Sequence, residues 1–252
     1  MEGARRLLVY VVVVAAAMLL GLLALIFFSQ RLLIYFPQPR SNHDAEMIRL
    51  PGDLLVSSRS ADSPNAVIYF GGNAEDVSLD LPDLSSTFPN TAIYLLHYPG
   101  YGGSAGHPTE KSIIAAAFVL FDVVHAQHAN VTLIGRSLGT GVAIQVASQR
   151  PVTRLVLVTP YDSLVDVAQE HYPFLPNRLM MLDKYDSWKY APQVTAPVKI
   201  IVAGDDEVIP RASTERLRTR FTKSVVSYVV VPGVGHNTVS DNLQYLQLLR
   251  NQ

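Results

Sequence analysis

The apolar positions of this chain fall into one unbroken run followed by two alternating spacings. The run comes first. Leu7 to Phe28 carries no charge and follows Arg5 and Arg6. It is long enough to cross the hydrocarbon core of a bilayer as a helix. It ends Ile26-Phe27-Phe28-Ser29-Gln30-Arg31, without the small-residue pattern that closes a cleaved signal peptide. The expectation is a retained membrane anchor over residues 1–29 and a globular domain over 30–252. Pro37 and Pro39 keep the first helix from running on into that domain.

Beyond the prolines, short β-rich runs alternate with helical spacing. Ala66 to Phe70, Thr91 to Leu96, Val131 to Ile134, Arg154 to Val158, Val198 to Ala203 and Val225 to Val231 read as strands. Lys111 to His128, Leu138 to Gln149, Arg211 to Phe221 and Val239 to Arg250 read as helices. Such alternation predicts an α/β fold, a mostly parallel sheet covered by helices on both faces. Residues 163–186 break the rhythm and read as a small lid-like insertion.

Composition narrows the chemistry. The 252 residues carry a formal charge of −1 and only 16% charged residues, and no basic run points to nucleic acid. Cysteine is absent, which removes disulfides, thiol catalysis and cysteine-ligated zinc together. Arg5 and Arg6 lie before the apolar run, and Arg31 and Arg40 after it, so the charge bias across it is slight. The expected orientation is a cytoplasmic N-terminus with the large domain on the non-cytoplasmic side.

One pentapeptide stands out, Gly135-Arg136-Ser137-Leu138-Gly139, a G-x-S-x-G between a predicted strand and a predicted helix. In that setting the motif holds a serine hydroxyl clear of the backbone as a nucleophile. The helix N-terminus favours negative charge beside it. Without partners for the serine, the same residues are a Gly/Ser turn of any α/β protein. A serine nucleophile needs a base and a residue that orients the base. Both are expected after the serine, at the carboxyl ends of later strands.

The strand ending at Ala203 leads into Gly204-Asp205-Asp206-Glu207, three adjacent carboxylates that could orient a histidine or simply cap the following helix. The last strand leads into Pro232-Gly233-Val234-Gly235-His236. His236 alone of seven histidines sits on a glycine-bearing loop, at a strand end, after the acids. His125 and His128 read as a solvated helix face, His97 as a structural hydrogen-bonding residue, and His43, His107 and His171 as loop residues. An oxyanion needs backbone donors, one just after the nucleophile, at Leu138, and one from an early strand-end loop. Gly71-Gly72-Asn73 follows such a strand, and Asn73 is the candidate donor.

Taken together, Phe70-Gly71-Gly72-Asn73-Ala74, the His97–Gly106 loop, Gly135–Gly139, Asp206–Pro210 and Gly235-His236-Asn237 resemble a known family in order and content. They are similar to the membrane-anchored α/β-hydrolases related to prolyl-oligopeptidase-type serine hydrolases and to protein depalmitoylating thioesterases. The resemblance runs from about Leu32 to the C-terminus. It implies the α/β-hydrolase fold, with Ser137 as nucleophile, Asp206 (Asp205 as fallback) as orienting acid, His236 as base, and Asn73 and Leu138 lining the oxyanion hole. It implies no metal and no cofactor. One departure is visible: where the family's first loop reads His-Gly-Asn, this chain has Gly71.

The expected activity is hydrolysis of an ester or thioester of a small acyl, lipid-like or acylated-protein substrate. Gly71, Gly72, Tyr172 and Phe174 are candidate substrate-binding residues. A peptidase of prolyl-oligopeptidase type and a membrane-tethered binding protein are the alternatives.

Overall fold

A computed structural model describes residues 2–251. The chain divides into two compact units, the first ending at Phe36 and the second beginning at Pro37. The first unit is a single helix, α1 (Glu2–Ile34), of 33 residues. Its most apolar window has a mean hydropathy of 3.0, and none of that window is buried. At 1.5 Å per residue α1 is about 50 Å long, against a hydrocarbon core of about 30 Å. By length and composition it fits a membrane anchor and a signal sequence alike. It continues past residue 29 because nothing before Pro37 lacks an amide donor.

The second unit is built on a sheet of eight strands among the described residues, in the order β1-β2-β4-β3-β5-β6-β7-β8. The first two, β1 (Glu46–Leu50) and β2 (Leu54–Arg59), form an antiparallel hairpin. Its turn uses positive φ at Gly52 and Asp53. β2 also runs antiparallel to β4 (Ala92–Leu96). The remaining pairs are parallel: β3 (Asn65–Phe70) with β4 and with β5 (Asn130–Arg136), then β6 (Arg154–Val158), β7 (Val198–Ala203) and β8 (Val226–Val231) in sequence. This is the α/β-hydrolase sheet. The predicted strands all form, with bounds within two residues of expectation. The hairpin was not foreseen. β1 lies at the sheet edge and keeps one exposed side, so it has no sustained apolar run.

Alternate residues divide between the two faces of the sheet. Val67, Tyr69, Ile93, Leu95, Val156, Val158, Ile201 and Ala203 point to one side, where they pack with α2 (Leu81–Thr87) and α9 (Tyr245–Arg250). On the other side α3 (Glu110–His125) packs on α4 (Leu138–Ala147), and α4 packs on β3, β5 and β6. α4 is buried along its whole length, which explains its lack of a polar face. α8 (Arg211–Arg218) connects β7 to β8.

The insertion is a closed excursion. It comprises α5 (Leu164–His171) and α6 (Asn177–Met180), and α7 (Ser187–Tyr190) follows it. Ser163 Oγ donates to Asp186 Oδ1 at 2.9 Å, joining its two ends. Glu110, at the start of α3, accepts from Lys184 N and Tyr185 N and holds the return leg. His171 Nε2 lies 2.8 Å from the Val208 carbonyl, which ties α5 to the loop after β7.

Two histidines are structural. His128 is not on a solvated face: α3 ends at His125, the chain turns inward, and His128 is buried between the Tyr94 hydroxyl at 2.9 Å and the Ser63 carbonyl at 2.7 Å. His97 is 2% exposed and its Nε2 lies 2.8 Å from Ser57 Oγ. The turn from Tyr98 to Gly106 closes over the His97 ring. A side chain at Gly102, where φ is +56°, would collide with that ring.

Burial lowers the His97 pKa from 6.5 to about 4, so the folded protein keeps the ring neutral. The unfolded chain binds a proton there from pH 6.5 downwards. His97 therefore contributes stability that is present above pH 6.5 and is lost as pH falls towards 4, a loss of about 3 kcal/mol. Urea unfolding of the full-length protein in detergent will show this decline between pH 6.5 and 4, and His97→Gln will flatten it.

Candidate active site

Ser137 sits between β5 and α4 with φ +49° and ψ −116°. A non-glycine residue in that region is strained by about 1–3 kcal/mol, and the surroundings hold it there. Ser137 N donates to the Val158 carbonyl at 2.9 Å, and its own carbonyl accepts from Thr140 N at 2.9 Å. The flanking glycines are steric necessities. A Cβ at Gly135 would lie 2.5 Å from the Gly139 carbonyl oxygen. A Cβ at Gly139 would collide with the Phe70 carbonyl and lie 2.7 Å from the Gly71 oxygen. The start of α4 thus crosses the end of β3 at backbone contact, and the serine is lifted at the crossing.

His236 comes to Ser137 from the loop after β8. Its Nε2 lies 2.8 Å from Ser137 Oγ, and its Nδ1 lies 3.0 Å from each oxygen of Asp206. The His236 and Asp206 side chains are only 7% and 5% exposed. Asp206 Oδ1 also accepts from Val208 N at 3.0 Å and Ile209 N at 2.7 Å, which fixes the carboxylate to its own loop. Glu207 accepts from His236 N at 3.1 Å and shapes the histidine loop. Asp205 is exposed, and its main-chain N–H donates to the Val234 carbonyl. Of the three adjacent acids, Asp206 is the one facing the imidazole.

The loop after β3 lies over the serine. A Cβ at Gly72 would sit 3.8 Å from Ser137 Cβ. Tyr98 OH donates to the Gly71 carbonyl at 2.8 Å, and Tyr101 OH to Asn73 Oδ1 at 3.2 Å. Gly72 N–H is taken by Glu75 Oε2 at 2.7 Å. Leu138 is the first residue of α4, and a first-turn N–H has no partner within its helix.

Comparison with known proteins agrees with this architecture. No protein-family model matches the chain. An uncharacterized protein of Mycobacterium tuberculosis is 35% identical over 237 residues, covering 86% of this chain and 84% of that one. Human α/β-hydrolase domain-containing protein 17B is 30% identical over 201 residues, covering 75% of this chain and 67% of that protein. The chain belongs to the α/β-hydrolase family. Among solved structures, an esterase of Pyrococcus furiosus superposes with a TM-score of 0.68 at 15% identity, over 85% of this chain and 96% of that one.

Within the hydrolase, the two lid residues singled out from the sequence are solvent-exposed, Tyr172 by 62% and Phe174 by 97%. A cavity of about 670 Å³ opens beside the insertion and α8, lined by charged residues such as Asp162, Asp166, Arg178, Lys184 and Arg216. Ser137, Asp206 and His236 are not among its walls. Sequence reasoning missed Glu75, Tyr98, Tyr101 and Arg136. Arg136 left one signal, a full charge in the variable position of a buried elbow.

The crossing of α4 over β3 makes Gly139→Ala the most damaging one-carbon change at the elbow. It will destabilise the protein by about 3 kcal/mol or more, measured as a lower urea midpoint at unchanged m-value.

Proposed function

We propose that this α/β-hydrolase is a membrane-anchored serine hydrolase of ester or thioester bonds in acyl or lipid-like substrates, acylated proteins included. The observation that carries the reading is the buried line from Ser137 Oγ through His236 to both oxygens of Asp206. This arrangement is suited to two-step acyl transfer. Ser137 Oγ attacks the carbonyl carbon while His236 Nε2 takes its proton. The carbonyl oxygen becomes an oxyanion, met by the Leu138 and Asn73 N–H groups. The tetrahedral intermediate then collapses, and His236 gives the proton to the leaving alcohol or thiol. Water, deprotonated by His236, attacks the acyl-enzyme and releases the acid. Asp206 fixes the imidazole tautomer and stabilises its positive charge.

No step in this scheme calls on a metal or cofactor. The anchor is the run from Leu7 to Phe28 within α1, with the catalytic domain on the non-cytoplasmic side. Residues 163–186 form the lid, with Tyr172 and Phe174 as its contacts to an apolar acyl group and Gly71 and Gly72 shaping the floor. The resemblance to depalmitoylating thioesterases and the apolar anchor favour an acyl substrate that the protein meets at a membrane.

A fluorophosphonate probe will label the wild type in detergent micelles and leave Ser137→Ala unlabelled. Labelling that survives Ser137→Ala overturns the nucleophile. Ser137→Ala and His236→Ala will each lower kcat by about 10⁴-fold or more, and Asp206→Asn by about 10⁴-fold. Across p-nitrophenyl esters, acyl thioesters and aminoacyl amides, turnover will be confined to the first two. Amide cleavage without ester turnover makes the protein a peptidase. A folded wild type that neither labels nor turns over any substrate makes it a binding protein. In sealed vesicles with the cytoplasmic side outward, added protease will spare the domain; its digestion reverses the orientation.

A further inference from the structure

The oxyanion loop begins with two glycines, and two adjacent glycines rotate freely unless something holds the peptide between them. That peptide carries the Gly71 carbonyl and the Gly72 N–H. Both of its polar ends are engaged by side chains. Tyr98 OH donates to the Gly71 oxygen at 2.8 Å, and Gly72 N donates to Glu75 Oε2 at 2.7 Å. Because the peptide unit is planar, fixing both ends fixes its plane and the direction from which the chain enters Asn73.

Glu75 is held as firmly as it holds. Its Oε1 accepts from Tyr69 OH at 2.5 Å, on β3. Its Oε2 also accepts from Arg136 Nη1 at 3.0 Å, the residue just before Ser137. The two charged side chains are 11% and 15% exposed, so the ion pair is largely dry. Three donors, Tyr69 OH, Gly72 N and Arg136 Nη1, thus engage both carboxylate oxygens. Burial first, and then the Glu75 carboxylate, push the pKa of nearby Asp80 up. Arg136 in turn reaches the Asn237 carbonyl with Nη2 at 3.4 Å, beside His236.

Gly71 has no room for a side chain. A Cβ there would collide with Val77 and lie 3.1 Å from Glu75 Oε1. The loop's departure from the family pattern goes first with the Val77 contact and second with Glu75.

We infer that Glu75 and Tyr98 are positioning residues of the oxyanion loop: they clamp the Gly71–Gly72 peptide from its two ends and thereby set the Asn73 N–H as the loop's donor to the acyl oxyanion. Gly72 N–H, bound to Glu75, is withdrawn from that task. Arg136 balances the Glu75 charge, which would otherwise oppose an anion forming over Ser137. The inference rests on the serine-hydrolase reading above and goes beyond it, since neither clamp residue touches the substrate.

The test uses full-length protein in detergent, a p-nitrophenyl ester and the fluorophosphonate probe. Wild-type labelling that disappears in Ser137→Ala establishes the underlying reading independently of the clamp. Glu75→Ala is then expected to lower kcat about 100-fold, the size of effect seen when one oxyanion donor is lost, with KM changed less than about threefold. It will still label at Ser137, only more slowly. Glu75→Gln keeps an acceptor for Gly72 N and is expected to recover about tenfold of that loss. Tyr98→Phe removes the other end of the clamp without leaving a charge unpaired, and will lower kcat about tenfold at constant KM. It keeps the inference falsifiable if Glu75→Ala does not fold. Wild-type kcat in both Glu75→Gln and Tyr98→Phe overturns the clamp. So does a fall in the Glu75 and Tyr98 variants carried by KM alone. A wild type inert to ester and probe overturns the hydrolase reading, and the clamp with it.

Discussion

The site depends on how closely the backbone of α4 crosses the carboxyl end of β3. Gly139 lies against the Phe70 and Gly71 carbonyls with no room for a methyl group. That approach sets the height of the elbow, the position of Ser137 and the distance of the first loop from it. It also couples them, because the elbow cannot shift without moving the Gly71–Asn73 loop. The strained backbone at Ser137 is held by its hydrogen bonds to β6 and to the first turn of α4. The two motif glycines are therefore less a matter of flexibility than of clearance between chains.

Around this crossing, loops are shaped by carboxylates that accept backbone N–H groups. Asp206 gathers Val208 N and Ile209 N, Glu207 gathers His236 N, and Glu75 gathers Gly72 N. The side chains of Asp206 and Glu75 are largely buried, and burying a carboxylate bare is costly, so both must be hydrogen-bonded or paired. Each one consequently reports where its loop must run. Two hydrogen-bonded pairs flank Ser137 as a result, with Asp206 and His236 to one side and Glu75 and Arg136 to the other. Arg136 links them by its bond to Asn237.

The parallel strands were legible because both faces of each are buried, which forces continuous apolar β-branched runs such as Val198 to Ala203. The β1–β2 hairpin was not, because an edge strand needs no such run. α2 was missed because its seven residues are too few to show a period. His128 was misread as solvated because helical spacing was carried past His125, where the chain turns inward. Asp206 could be separated from its neighbours only by resemblance. In space the difference is plain, because Asp206 faces the imidazole and Asp205 faces solvent.

What the sequence determined by itself was the order of elements and the residue types at their ends. Periodicity follows from local backbone geometry, and glycines mark points of close approach before the approaching partner is known. The sequence also carried the apolar length of α1, which is a property of composition alone. Tertiary structure decided which side chains meet. His236 is 99 residues from Ser137, and Arg136 is 61 from Glu75. No local period specifies such pairings; they exist only once parallel strands bring their carboxyl ends to one edge. The same holds for Gly71. In the chain it is a missing histidine, and in the fold it is a position closed by the Val77 side chain, with the Glu75 carboxylate beside it.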